Sequence, residues 1–222
     1  MPIEGTVEAS STYLSHAFVW MFAGLLLTAA VAFLVQGSER VMQLAVDALL
    51  PIVIGQLALV IVISWAIRRI SATVALGLFF VYAASMGLTI GLIVTAYNGQ
   101  SVVAAFLTAA GMFGGAALYG VTTKRSLAGI GGFLIMALIG LIVASVVNIF
   151  LASSAFGWAL SVVGVVIFTA LTAYHVQMIQ RGALVLGTGS VEKAAVLGAL
   201  SLYLDFVNLF LMLLRLFGGG RR

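Results

Sequence analysis

Cysteine is absent from the sequence, and acidic residues are scarce, with six Asp and Glu in 222 positions. The first absence removes disulfides, thiolate catalysis and Cys-rich metal sites, and leaves the redox compartment open. The second, beside ten Lys and Arg and two His, leaves few groups able to do chemistry. Only 7% of residues are charged, against about 25% in an ordinary soluble domain. What fills the space is apolar, 64% of the chain. The isoelectric point near 9.8 would suggest nucleic acid for a soluble protein. Here the basic residues sit mostly at the ends of apolar runs, so membrane topology explains them better and no nucleic-acid partner is expected.

Seven apolar runs fall near 14–36, 46–67, 72–96, 102–120, 127–151, 157–180 and 194–216. Each approaches or exceeds the roughly 20 residues that a helix needs to cross a bilayer. The expectation is an all-α polytopic membrane protein, one domain over residues 1–222, with seven transmembrane helices. Residues 1–12 form a polar tail containing Glu4 and Glu8 and no basic residue. A secretory signal starts with positive charge, so the first run reads as a retained helix. Short connectors link the runs, except for the longer, Gly-rich stretch Arg181–Glu192. No internal repeat is visible, which argues against an inverted-repeat transporter.

Lys and Arg set the orientation. Arg68 and Arg69 follow run two, Lys124 and Arg125 follow run four, and Arg181 and Lys193 follow run six, all on one side. The positive-inside rule then places these loops and the amino terminus in the cytoplasm. Seven crossings leave Arg215, Arg221 and Arg222 on the other side, against the rule. Either the last run is a re-entrant hairpin or this short tail is an exception; seven full crossings are expected.

The last run carries a carboxylate, Asp205, near its middle. Ser201, Asp205 and Asn208 stand at i, i+4 and i+7 and share a helix face, extended upstream by Gly198 and Ala194. Mid-membrane, such a group is unfavourable by about 2.5–3.5 kcal/mol on insertion scales. This stripe must therefore face protein, with the other helices gathered around it. Run six ends with Thr169, Thr172 and His175 three apart on one face. An imidazole titrates near neutrality and is the natural pH switch, although a packed ring donating to a backbone carbonyl is an equally ordinary role. The buried acid needs a partner, and His175 is the nearest in sequence.

Enzymatic arrangements are missing. There is no Gly-x-Ser-x-Gly nucleophile and no His-Glu-x-x-His zinc motif. His16 and His175 alone cannot assemble a zinc site, so no metal centre, cofactor or catalysis is expected. The remaining polar groups in the spans are weak: Gln56, Tyr82, Ser85, Thr89, Ser145 and Asn148. Interhelical hydrogen bonds of about 0.6 kcal/mol each suit them better than a pore lining. Gly87-x-x-x-Gly91 and Gly111-x-x-x-Gly115 offer close helix approach, within the chain rather than along a dimer seam.

Val60–Ser64 running on to Arg69, Leu118–Lys124, Ile139–Phe150, Leu171–His175 and Ala199–Phe210 together resemble the bacterial branch of the Bax inhibitor-1 family. The resemblance implies a seven-helix bundle with the C-terminal helix at its centre. It also implies a pH-sensitive calcium leak governed by aspartates on spans six and seven, and an arginine latch on span two, matched here by Arg68 or Arg69. Some bacterial members are linked instead to control of a membrane-anchored ATP-dependent protease.

The chain departs from that pattern at the site itself. The family's Tyr-Asp on span six is Tyr174-His175 here, Gln56 replaces a glutamate, and Ser126 replaces an aspartate. Two adjacent carboxylates share a proton because both cannot easily ionise. A His–Asp pair differs: each charged form favours the other while burial opposes both, and the two titrate as a coupled unit. Calcium takes six to eight oxygen ligands, usually several of them carboxylates. The expected gate is therefore Asp205 with His175, supported by Ser201, Asn208, Gln56 and Asn148, with calcium conduction weak or absent. Three readings follow: a protonation-controlled ion handler passing calcium or protons, a non-transporting regulator binding a membrane protease or other integral protein, or polar groups that only fix helix register. A bacterial inner membrane is the expected home.

Overall fold

The computed structural model describes residues 4–218, with side chains from Tyr13 onward. Arg221 and Arg222, and the side chains of Glu4 and Glu8, lie outside the described residues. Nine helices occupy the described chain: α1 Glu4–Gly37, α2 Glu39–Asp47, α3 Leu49–Ala66, α4 Ala72–Val94, α5 Gly99–Thr122, α6 Ala128–Leu151, α7 Ser154–Gln180, α8 Ala183–Thr188 and α9 Val191–Gly218. No strand occurs among the described residues. Seven of the helices are long and apolar enough to cross a membrane, with spans from Tyr13–Gly37 to Val191–Gly218. Their exposed faces are apolar, including Phe133, Ile149 and Phe150 on α6 and Leu50, Leu57 and Ile61 on α3. Water tolerates no such continuous surface; lipid does. The chain is an all-α polytopic membrane protein.

Local chemistry explains the boundaries. Ser38, Ser71 and Asn98 accept hydrogen bonds from the backbone N–H groups of Val41, Val74 and Ser101, capping α2, α4 and α5. Ser153 and Ser190 do the same for Phe156 and Lys193. Each satisfies a helix N–H that has no partner within the helix. Pro51 falls in the first turn of α3, where its missing N–H leaves no gap in the hydrogen-bond ladder. Ala152 adopts a left-handed conformation, φ 47°, and ends α6 by donating to the Asn148 carbonyl, so α7 begins two residues later.

Three elements differ from the expectations. The backbone of the polar start is helical from Glu4 and continuous with α1. The connector after the first span folds as α2, a short amphipathic helix with Ala45 buried, and the second span begins at Leu49 rather than 46. The Gly-rich connector contains α8, bracketed by Gly182 and Gly189 at φ 71° and 78°. The last span is one uninterrupted helix of 28 residues, about 42 Å long, whereas a re-entrant hairpin needs a break. Two-thirds of its most apolar window, 67%, is buried, against 11–44% for the other spans.

The chain gathers into two compact units. The first holds residues 1–97 and 179–203. In it α1 lies along α4 with glycine at the crossing. A Cβ on Gly87 would stand 2.6 Å from Val31 Cβ and 2.7 Å from the Thr28 carbonyl, and one on Gly91 would stand 2.7 Å from Val35 Cβ. Tyr203 of α9 receives the rings of Phe79 and Tyr82 edge-on at 5.5 and 5.8 Å. Its hydroxyl meets Thr28 Oγ1 at 2.6 Å, and that oxygen lies 2.8 Å from the Ala83 carbonyl, joining α1, α4 and α9.

The second unit holds residues 98–178 and 204–222, described as far as 218. Here the close approaches are Gly120 against the Ala173 carbonyl, Gly131 against the Tyr174 ring and Gly164 against Met212. Phe206 is packed by Phe106 and Phe113 at 5.8 and 5.6 Å. Gly111 and Gly115, expected to let helices meet, face open space instead. Both residues are exposed, because α5 turns its other face, through Ala105, Ala109, Phe113 and Ala116, inward.

A leucine at Gly87 or Gly91 should therefore lower stability in detergent by about 1–3 kcal/mol. The same change at Gly111 should stay within about 0.5 kcal/mol. Thermal unfolding of the purified variants checks this, and an equal loss at Gly111 contradicts the packing.

Candidate functional site

Asp205 sits in the second unit among apolar neighbours. The residue after it, Phe206, is held by α5 aromatics, and Leu209 and Leu213 below it are buried. The carboxylate itself is 2% exposed. From α7, His175 reaches it, with Nδ1 2.6 Å from Oδ2. The ring is partly accessible and the acid is closed off, with side-chain exposures of 19% and 3%. The contact is an ion pair when the ring is protonated and a hydrogen bond when it is neutral.

The histidine is aimed by its surroundings. Tyr174, one residue before it, lies flat against the notch left by Gly131, and the two rings are 5.4 Å apart. Thr169 and Thr172, on the same face of α7, turn their hydroxyls back to Val165 and Phe168. They satisfy themselves within the helix and leave the acid to the imidazole. When the carboxylate is ionised, Nδ1 must carry the shared proton, which fixes the tautomer.

The supporting residues named from the sequence separate into two groups. In the second unit, Asn208 donates from Nδ2 to the Leu204 carbonyl at 2.7 Å. Asn148 Oδ1 is buried without a hydrogen-bond partner among the described residues, and the amide nitrogen lies 3.0 Å from where a Cβ on Gly157 would stand. In the first unit, Ser201 donates to Leu197 of its own helix, and Gln56 donates across to Thr89 Oγ1 at 2.9 Å. Gln56 thus ties α3 to α4 as an interhelical hydrogen bond. Ser85 donates to the Tyr82 carbonyl. The two arginines are also in the first unit. Arg68 donates from Nε to the Gly187 carbonyl, and the Arg69 guanidinium lies 4.9 Å above the Trp65 ring.

Sequence reasoning missed two contacts. Gln177, two residues beyond His175, accepts from the Leu127 N–H at 2.7 Å and donates to the Arg125 carbonyl at 2.9 Å. It supplies α6 with the cap that Leu127 lacks. The other is the Thr28–Tyr203 pair. A glutamine within an apolar run was the available signal for the first; nothing distinguished the second from any other hydroxyl in a span. Among the described residues no group of three His, Asp or Glu is placed to hold a metal ion.

A sequence model of the family described as "Inhibitor of apoptosis-promoting Bax1" matches residues 10–222. The chain is 47% identical over 216 residues to the inner membrane protein YbhL of Escherichia coli (strain K12), covering 95% of this chain and 92% of that one. It is 42% identical to an uncharacterized protein of Deinococcus radiodurans, covering 97% and 94%. A third relative, from Borreliella burgdorferi, is 39% identical over 214 residues, covering 94% and 92%.

Replacing one partner leaves the other buried and alone. His175→Leu should lower stability by about 3 kcal/mol. Adding Asp205→Leu should restore most of the loss, measured by thermal unfolding as a double-mutant cycle. Simple additivity of the two losses contradicts a direct pair.

Proposed function

The chain belongs to the Bax inhibitor-1 family, and on that footing we propose that His175 and Asp205 form a proton-operated lock between α7 and α9 of a non-enzymatic integral membrane protein. What supports this most is the 2.6 Å contact between an almost fully buried carboxylate and a partly accessible imidazole. The accessible ring gives protons a way in, and the closed acid makes each proton count, because charge is poorly tolerated at that depth. Loss or gain of a proton changes whether the two helices attract.

Calcium conduction is weak or absent in this reading. One carboxylate and one imidazole fall far short of the several acidic oxygens that calcium prefers, and a protonated ring repels it. The same shortage supports a second role. There the chain conducts nothing, and the proton-operated change alters its grip on another membrane protein, such as a membrane-anchored ATP-dependent protease. For location, the Escherichia coli relative is called an inner membrane protein, and we assign this chain to the same kind of membrane. The basic loops Arg68–Arg69 and Lys124–Arg125 then lie in the cytoplasm, with the amino terminus.

Liposome reconstitution tests the reading. Calcium influx through the wild-type chain should be slow from pH 6 to 8, and His175→Asp, which restores a second carboxylate, should raise it several-fold. The chemical shifts of His175 ring nuclei should titrate with pH in the wild type and follow a different curve in Asp205→Asn. Fast wild-type calcium flux indifferent to Asp205→Asn overturns the proposal.

A further inference from the structure

The first unit holds a concavity of about 440 Å³, lined by Ser64, Trp65, Arg68, Arg69, Gly187 and Thr188 among others. It lies where α3 ends, α4 begins and α8 leads into α9. Two arginines line it and a lysine stands beside it. Arg68 is anchored by its Nε on the Gly187 carbonyl, and its terminal amino groups have no partner among the described residues. Arg69 is steadied over the Trp65 ring. Lys193 donates from Nζ to the Arg68 carbonyl at 3.2 Å, which brings its ammonium to the same corner.

Among the described residues none of the three has a carboxylate partner. The nearest acid in sequence, Glu192, is solvent-exposed and hydrogen-bonds Ser190 and its own backbone. Membrane topology accounts for basic residues in these loops. It does not account for their convergence. Like charges drawn together by hydrogen bonds to backbone carbonyls repel one another unless an anion sits between them.

We propose that this pocket binds the phosphate of an anionic phospholipid headgroup, with Arg68, Arg69 and Lys193 supplying the positive charge. Guanidinium groups suit phosphate because they offer paired donors in a fixed plane. The depth is right for a lipid rather than a dissolved anion, because the pocket stands at the ends of membrane spans, where diacyl lipids carry their phosphates. Two apolar side chains support the same source: Trp65, in the lining, is 72% exposed, and Leu186 of α8 is 88% exposed. Exposed to water, both would be unfavourable; at the boundary of headgroup and acyl chain they lie against glycerol and upper methylenes.

Native mass spectrometry of the purified full chain, given equal phosphatidylglycerol and phosphatidylethanolamine, tests the proposal. The wild type should retain phosphatidylglycerol preferentially. Arg68→Gln with Lys193→Gln should reduce that preference roughly 5- to 25-fold, the effect of about two interfacial cations. Lys124→Gln, a basic residue in the α5–α6 connector, should leave it unchanged. An equal loss in Lys124→Gln, or none in the double variant, overturns a localised site. Displacement of the lipid by millimolar glycerol 3-phosphate overturns the lipid source in favour of a soluble phosphate. Should the double variant fail to fold, photoactivatable phosphatidylglycerol on the wild type decides: crosslinks concentrated in residues 64–69 and 183–188 support the site, and even labelling of all spans refutes it.

Discussion

A carboxylate shut inside a membrane span has to be answered by a nearby donor, and much of this molecule's second unit can be understood as that answer. Lipid offers Asp205 nothing, so the unit brings an imidazole to 2.6 Å and keeps the acid almost wholly buried. The glycines that let α5 and α6 approach α7 are part of the same solution. Without the hollows at Gly120 and Gly131, Ala173 and Tyr174 could not seat, and the histidine between these contacts and Gln177 would lose its bearing.

An acid facing an imidazole is a different kind of site from the pair of aspartates that the resemblance to the family implies. Two acids facing each other hold a proton by mutual repulsion and attract cations when they lose it. An acid facing an imidazole holds its proton by attraction, and its further protonation repels cations. The two arrangements have opposite electrostatic consequences for a divalent ion.

The spans were readable because a helix in lipid must be long and apolar, and few other structures satisfy that. Asp205 and His175 were readable as partners for the complementary reason: scarcity left the acid almost no one else. Where several solutions were equivalent, sequence was silent. Gly87 and Gly111 begin the same spacing on helices that are apolar all round, so composition does not reveal which face meets protein; one pair lies at a crossing and the other looks outward. Hydropathy is equally blind to α2 and α8, since a nine-residue amphipathic helix and a six-residue glycine-bracketed one lie below any span-length signal. Gln177 and the Thr28–Tyr203 contact join residues distant in sequence through groups that many positions carry.

Gln177 has a mechanical meaning that its modest chemistry hides. Its amide grips the backbone at Arg125 and Leu127, while His175, half a turn earlier on the same rigid rod, grips Asp205. Any sliding of α7 that follows a change at the imidazole must drag the positively charged α5–α6 corner with it. Under the proposed lock, a change at the imidazole thus has a handle at the end of the span.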